Sequence, residues 1–190
     1  MSASKRDVLI QRAFKIFYDN GFHATGMDRL VKQTGVSKTA MYRHFRTKED
    51  LILAVLKLRD QQFRSWLMQR IEELAQTPEQ QLLALFDVLG EWFERENYKG
   101  CMFIKASAEY QDDSHPLKAA SAEHKRQMFT YFRQIAGKTT AKDPNLLARQ
   151  LLMLKEGAVV TAHLQGVPGV AAQARKAAEI ILKSALTPPE

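Results

Sequence analysis

What the chain lacks narrows the possibilities first. It holds one cysteine, Cys101, in 190 residues, so no internal disulfide can form, which suits a reducing compartment. No stretch approaches the ~18 uninterrupted apolar residues of a membrane-spanning helix. The N-terminal "MSASKRDVLIQ" has no apolar core of signal-peptide length. A cytoplasmic protein with no membrane partner is expected. Sustained period-two alternation is missing, so strands are not expected. Four of the six prolines fall at joints between segments and the other two in the terminal "TPPE". Also absent are HExxH, GxSxG, a phosphate-cradling glycine-rich loop and a spaced Cys/His zinc set. The five histidines are scattered; His115 and His124 with Glu109 could meet a metal, but not at ordinary ligand spacings. No enzyme, catalytic residue, metal or cofactor is expected.

Acidic residues are scarce at one end only. Residues 1–60 hold twelve Lys and Arg against six Asp and Glu, whereas the other 130 hold sixteen against fifteen. The chain's net charge of +7 is therefore concentrated in its head. A basic head on a nearly neutral body suits a polyanion, although charge alone equally describes a solvated basic surface.

What is present reads as helix throughout. With 45% hydrophobic and 26% charged residues the composition is that of a globular protein. Apolar residues recur at three- and four-residue steps. A first helix is predicted over Ser4 to Asn20, with the stripe Ile10, Ala13, Phe14, Phe17 and Gly21 beyond its end. A short helix follows from Met27 to Thr34, and after Gly35 a third, capped by Ser37, ends near Phe45. "TKED", Thr47 to Asp50, has the form of a capping box. It opens a fourth helix of about eight turns, "KEDLILAVLKLRDQQFRSWLMQRIEELA". Thr77–Pro78 starts a fifth, with Leu82, Leu85, Phe86, Leu89 and Trp92 or Phe93 inside. "CMFIKASAEY" reads as a sixth, Pro116 to Ala136 as a seventh, Asn145 to Gln165 as an eighth and Val170 to Ala185 as a ninth; "TPPE" terminates the chain.

The second and third helices, joined across Gly35, fit a helix-turn-helix, whose second helix enters the major groove. Lys38, Thr39 and Ala40 would then face base edges, with Tyr42, Arg43 and His44 one turn later. Thr25 and Ser37, at helix starts, offer hydroxyls beside backbone N–H groups, and Lys48 opens the fourth helix near the same anions. Leu30, Val31, Val36 and Phe45 are expected to lock the helices together, and Tyr42 could also serve as a core aromatic with its hydroxyl at the rim.

The 48 residues "LIQRAFKIFYDNGFHATGMDRLVKQTGVSKTAMYRHFRTKEDLILAVL" strongly resemble the N-terminal domain of the TetR family of bacterial transcriptional regulators. That resemblance implies phosphate contacts at Thr25, Ser37, Tyr42, His44 and Lys48, and base contacts mainly from Lys38, Thr39 and Arg43. Gly26 departs from the family pattern, which usually has Ser, Thr or Val there, and leaves Thr25 as the expected cap of the second helix. The resemblance also implies an all-α fold of about nine helices. Residues 1–47 would form a three-helix, homeodomain-like DNA-binding domain and residues 48–190 a helical ligand-sensing and dimerisation domain.

The body supports both roles. Gly157, Ala158, Thr161, Ala162, Ala171, Ala174, Ala178, Ile181 and Ala185 permit close helix approach in the last two helices, as a homodimer's four-helix interface or as internal packing. Trp92, Phe93, Met102, Phe103, Tyr110, Met128, Phe129, Phe132 and Met153 could line an effector cavity or be plain core. Glu109, His124, Glu156 and His163 are polar groups on apolar stretches, each needing a partner. Cys101 opens the sixth helix, where the helix dipole favours a thiolate. "YKGCMFIKASAEY" resembles the "GC…K…AE" stretch of one TetR-like group, some of whose members sense electrophiles or oxidants. The function expected is a transcriptional regulator, a repressor, released from a palindromic operator by an unknown small molecule or by Cys101 modification. The alternatives are a non-specific DNA-binding architectural protein or an enzyme using the C-terminal pocket.

Overall fold

A computed structural model describes residues 4–166 and 168–186; the "TPPE" terminator lies outside the described residues. Among the described residues there are nine helices and no strand, only an isolated antiparallel bridge between Ala141 and Leu186. They are α1 (Lys5–Asn20), α2 (Met27–Thr34), α3 (Lys38–His44), α4 (Lys48–Leu74), α5 (Pro78–Phe93), α6 (Met102–Glu109), α7 (Pro116–Ala136), α8 (Pro144–Gln165) and α9 (Val170–Ala185). No helix among them is long and apolar enough to cross a membrane.

Two compact units divide the chain. One runs to Phe63 and includes Cys101–His124; the other comprises Arg64–Gly100 and the chain from Lys125. The division falls within α4 and α7, and α6 belongs with the helix-turn-helix.

In the first unit local chemistry sets the helix ends. Ser4 caps α1 by accepting from the Asp7 N–H at 3.1 Å. Gly35 ends α2 in the left-handed conformation (φ 67°), its N–H donating to Val31 O, a geometry costly for any side chain. Ser37 caps α3 through the Ala40 N–H. Thr47 and Asp50 exchange side-chain and backbone bonds at 3.0 Å in both directions, the reciprocal capping box. Leu9, Ala13, Phe17, Phe22, Leu30, Leu51, Ile52 and Val55 are almost fully buried, each large side chain contributing about 1.5–3 kcal/mol.

In the second unit Thr77 caps α5 and Pro78 fills its first position, while Asp143 caps α8 by accepting from the Asn145 and Leu146 N–H groups. Helices α5, α8 and α9 pack together. At Gly90 a Cβ would come 3.3 Å from the Ala171 Cβ, so α5 and α9 approach as closely as these small residues allow. Lys142 N–H donates to Ala185 O at 3.0 Å, tying the end of α9 to the loop before α8.

Candidate nucleic-acid interface

The recognition surface follows from the way α3 is held. Of its seven residues only Met41 is buried, at 1% exposure. Met41 and Phe45 anchor the helix while Lys38, Thr39, Tyr42, Arg43 and His44 face solvent, Tyr42 at 46% exposure. Tyr42 is thus a surface residue, not a core aromatic. Ala40 is half-buried, and Ser37 is exposed at the helix start. Lys38 Nζ lies 3.9 Å from Asp28 Oδ1, an exposed pair worth little and easily exchanged for another anion.

The turn is fixed from behind. Arg12 on α1 donates to Thr34 O at 2.5 Å, satisfying a carbonyl at the C-terminus of α2. The buried Thr34 hydroxyl donates to Leu30 O at 2.6 Å and accepts from the Val36 N–H at 3.2 Å. Leu30 and Phe45 are buried as the pattern suggested, and Val31 and Val36 half-buried. Sequence reasoning missed Arg12 and Met41. Neither carries a local signal, since a surface-type cation and a flexible apolar residue acquire their roles only on folding.

Two expected phosphate ligands are placed differently from the rest. Thr25 does not cap α2: the N-cap is Gly26, without a side-chain bond. The Thr25 hydroxyl instead reaches back to Gly21 O at 2.7 Å, and its side chain is fully buried. Lys48 Nζ donates to Phe22 O at 3.1 Å and Thr25 O at 3.4 Å. Both residues shape the α1–α2 loop.

Of the residues suggested for an effector cavity, those in the first unit form two clusters. His124, 2% exposed, places Nδ1 2.7 Å from Asp60 Oδ1 and stacks on Phe103 at 3.8 Å between centroids. Tyr110 is edged by His23 and stacked by His115, at 4.7 and 4.6 Å. Burial, with the Glu49 and Glu109 carboxylates adding, pushes its hydroxyl up to about 12. Cys101 is the N-cap of α6, and it and Met102 are buried. Glu109 is engaged by the loop after α1, accepting from the Phe22 and His23 N–H groups.

In the second unit Trp92, Phe93 and Tyr98 form an aromatic group with centroids 5.1–5.9 Å apart, and the Tyr98 hydroxyl donates to Val159 O at 2.8 Å. His163 is exposed and meets the edge of Tyr98. Met128 and Phe132 are buried and Phe129 half-buried, whereas Met153 faces solvent at 73% exposure. Glu156 accepts from Lys155 at 2.8 Å and Lys125 at 2.5 Å. Burial works to raise its carboxyl, but the two ammonium groups outweigh that and hold it down at about 2. Lys155, 1% exposed, is a charged group that the sequence reading did not single out. No group of three or more His, Cys, Asp or Glu among the described residues could hold a metal ion.

The small residues of α8 and α9 divide by face. Ala158, Ala162, Ala174 and Ala178 are buried within the chain, Thr161, Ala171, Ile181 and Ala185 are half-buried, and Gly157 is exposed. The apolar side chains that turn outward are Leu146, Met153, Val160 and Leu164 on α8 and Ile180 on α9.

The profile "Bacterial regulatory proteins, tetR family" matches residues 9–55, and "Tetracyclin repressor-like, C-terminal domain" matches residues 78–178. The chain is 26% identical over 153 residues to the HTH-type transcriptional regulator YjdC of Escherichia coli K12, covering 80% of each. It is 27% identical over 134 residues to the HTH-type transcriptional repressor NemR of the same organism, covering 68% of this chain and 65% of that one. The crystal structure of SCO4454, a TetR-family transcriptional regulator from Streptomyces coelicolor, superposes with a TM-score of 0.88 at 27% identity, covering 96% of both chains.

Proposed function

The chain belongs to the tetR family of bacterial regulatory proteins and is a helix-turn-helix, DNA-binding transcriptional regulator, and from that premise we propose that it is a homodimeric repressor, released from a palindromic operator by a small-molecule effector or by modification of Cys101. The observation that carries the DNA-reading part is α3, which buries Met41 and turns Lys38, Thr39, Tyr42, Arg43 and His44 outward. Lys38, Thr39 and Arg43 read base edges in the major groove; Ser37, Tyr42 and His44 hold phosphates, with Ala40 against the groove wall. Thr25 and Lys48 support these contacts by shaping the preceding loop.

In this reading residues 1–47 read DNA and residues 48–190 sense and assemble, in the cytoplasm. Dimerisation follows from geometry, since a palindrome presents half-sites about 34–36 Å apart. The outward apolar row on α8, with Ile180 of α9, supports α8 and α9 as the two-fold interface. The name of NemR as a repressor supports the sign. Release follows from differential binding: an effector that favours a conformer with displaced heads depopulates the one that fits both half-sites.

The test is DNase footprinting over the DNA flanking the coding gene. The expected result is a discrete palindromic footprint that Arg43→Ala shifts to about tenfold higher protein concentration. Uniform, salt-sensitive coverage would assign the head to non-specific packaging. For the thiol route, intact mass after a quinone or hypochlorite challenge should show a Cys101 adduct in step with lost DNA binding; release without an adduct would leave the small-molecule route alone.

A further inference from the structure

Helix α6 grips the exit of α1 with two oppositely charged side chains one turn apart. Lys105 Nζ donates to Tyr18 O at 3.3 Å in the last turn of α1 and lies 5.3 Å over the Tyr18 ring. Glu109 accepts from the Phe22 N–H at 3.0 and 3.1 Å and from the His23 N–H at 2.5 Å, with His23 Nδ1 3.8 Å away. The polarity fits the backbone: a cation meets the carbonyl end of a helix and a carboxylate meets successive loop N–H groups. Gly21 makes the approach possible. Its φ is +82°, and a Cβ there would come 3.1 Å from Glu109 Oε1. From α4, Lys48 holds the carbonyls of Phe22 and Thr25, so Phe22 is bound through both its N–H and its C=O.

We propose that Lys105 and Glu109 are positioning residues for DNA binding, fixing the α1–α2 connection and through it the pose of the helix-turn-helix. This rests on the DNA-binding function above and assigns the charged half of "GCMFIKASAE" a role separate from any chemistry at Cys101. Glu109 touches no DNA in this account. Being negative, it should repel a polyanion, so removing it would raise affinity by long-range electrostatics alone. A positioning role demands the opposite sign.

The experiment uses the full chain and a duplex that the wild-type protein selects from a random-sequence pool, so that a failed selection would count against DNA reading itself. Glu109→Ala should bind that duplex about tenfold more weakly, with Glu109→Gln in between. The slope of log affinity against log salt should be unchanged, because no phosphate contact is lost. Amide exchange over residues 21–25 should quicken while that of Leu30 and Met41 stays slow. Should Glu109→Ala fail to fold, the isosteric Glu109→Gln carries the same test through its affinity, slope and exchange. Equal or tighter binding, or a changed salt slope, would overturn the proposal.

Discussion

Helices α3 and α8 both present side chains that the rest of the chain leaves uncovered, and the two sets have opposite chemistry. On α3 they are cations, a hydroxyl and rings with polar tips: Lys38, Thr39, Tyr42, Arg43 and His44. On α8 they are Leu146, Met153, Val160 and Leu164, the first three at seven-residue steps. Binding through the first surface should weaken steeply with salt, as counterions compete for phosphates. Binding through the second should not, because burying apolar area drives it. Substitutions on one helix should therefore change assembly and on the other DNA reading, without crossing over.

The largest separation is expected from α8. Replacing Met153 and Leu164 together by Glu should leave a folded protomer, since both side chains are more than 70% exposed. Sedimentation should show a monomer, and operator affinity should fall by about a hundredfold or more as paired half-site binding is lost. The inner side of α8 gives the next effect. Glu156, held at about 2 against an ordinary 4.5, stabilises the fold above its unfolded value and loses that contribution as pH falls toward 2. Glu156→Gln should therefore cost about 2 kcal/mol in urea melts at pH 7, and much less at pH 3. On α3, Arg43→Ala should weaken operator binding about tenfold and relax base preference at one position per half-site, with the dimer intact. Smallest, Tyr42→Phe should lower affinity about threefold on every sequence alike and leave the salt slope unchanged, as a lost neutral hydrogen bond to phosphate would.

The same contrast explains what could be read from the sequence. Capping residues and prolines placed these helix starts within a residue or two, because Ser37, Thr47 and Thr77 act on N–H groups three residues away. The outward face of α3 was legible because the second helix of a helix-turn-helix turns its polar side chains toward the groove, although Met41 as its buried anchor was not. Thr25 misled because a hydroxyl at a helix start can cap forward or, as here, donate back to Gly21 O. Small residues at helical spacing allow close approach within a protomer as readily as between two, and α5 takes that approach against α9 at Gly90 and Ala171. The grip of Glu109 on Phe22 spans 87 positions, beyond any local pattern.

The most direct measurement is selection of DNA from a random pool by the full-length protein, followed by titration of the selected duplex and a scrambled one across a range of salt. The account predicts an inverted repeat with half-sites one helical turn apart or a multiple of it. It also predicts at least about a thousandfold preference over the scrambled duplex, reduced about tenfold in Arg43→Ala. Equal affinity for the two duplexes, with the same salt slope, would contradict it.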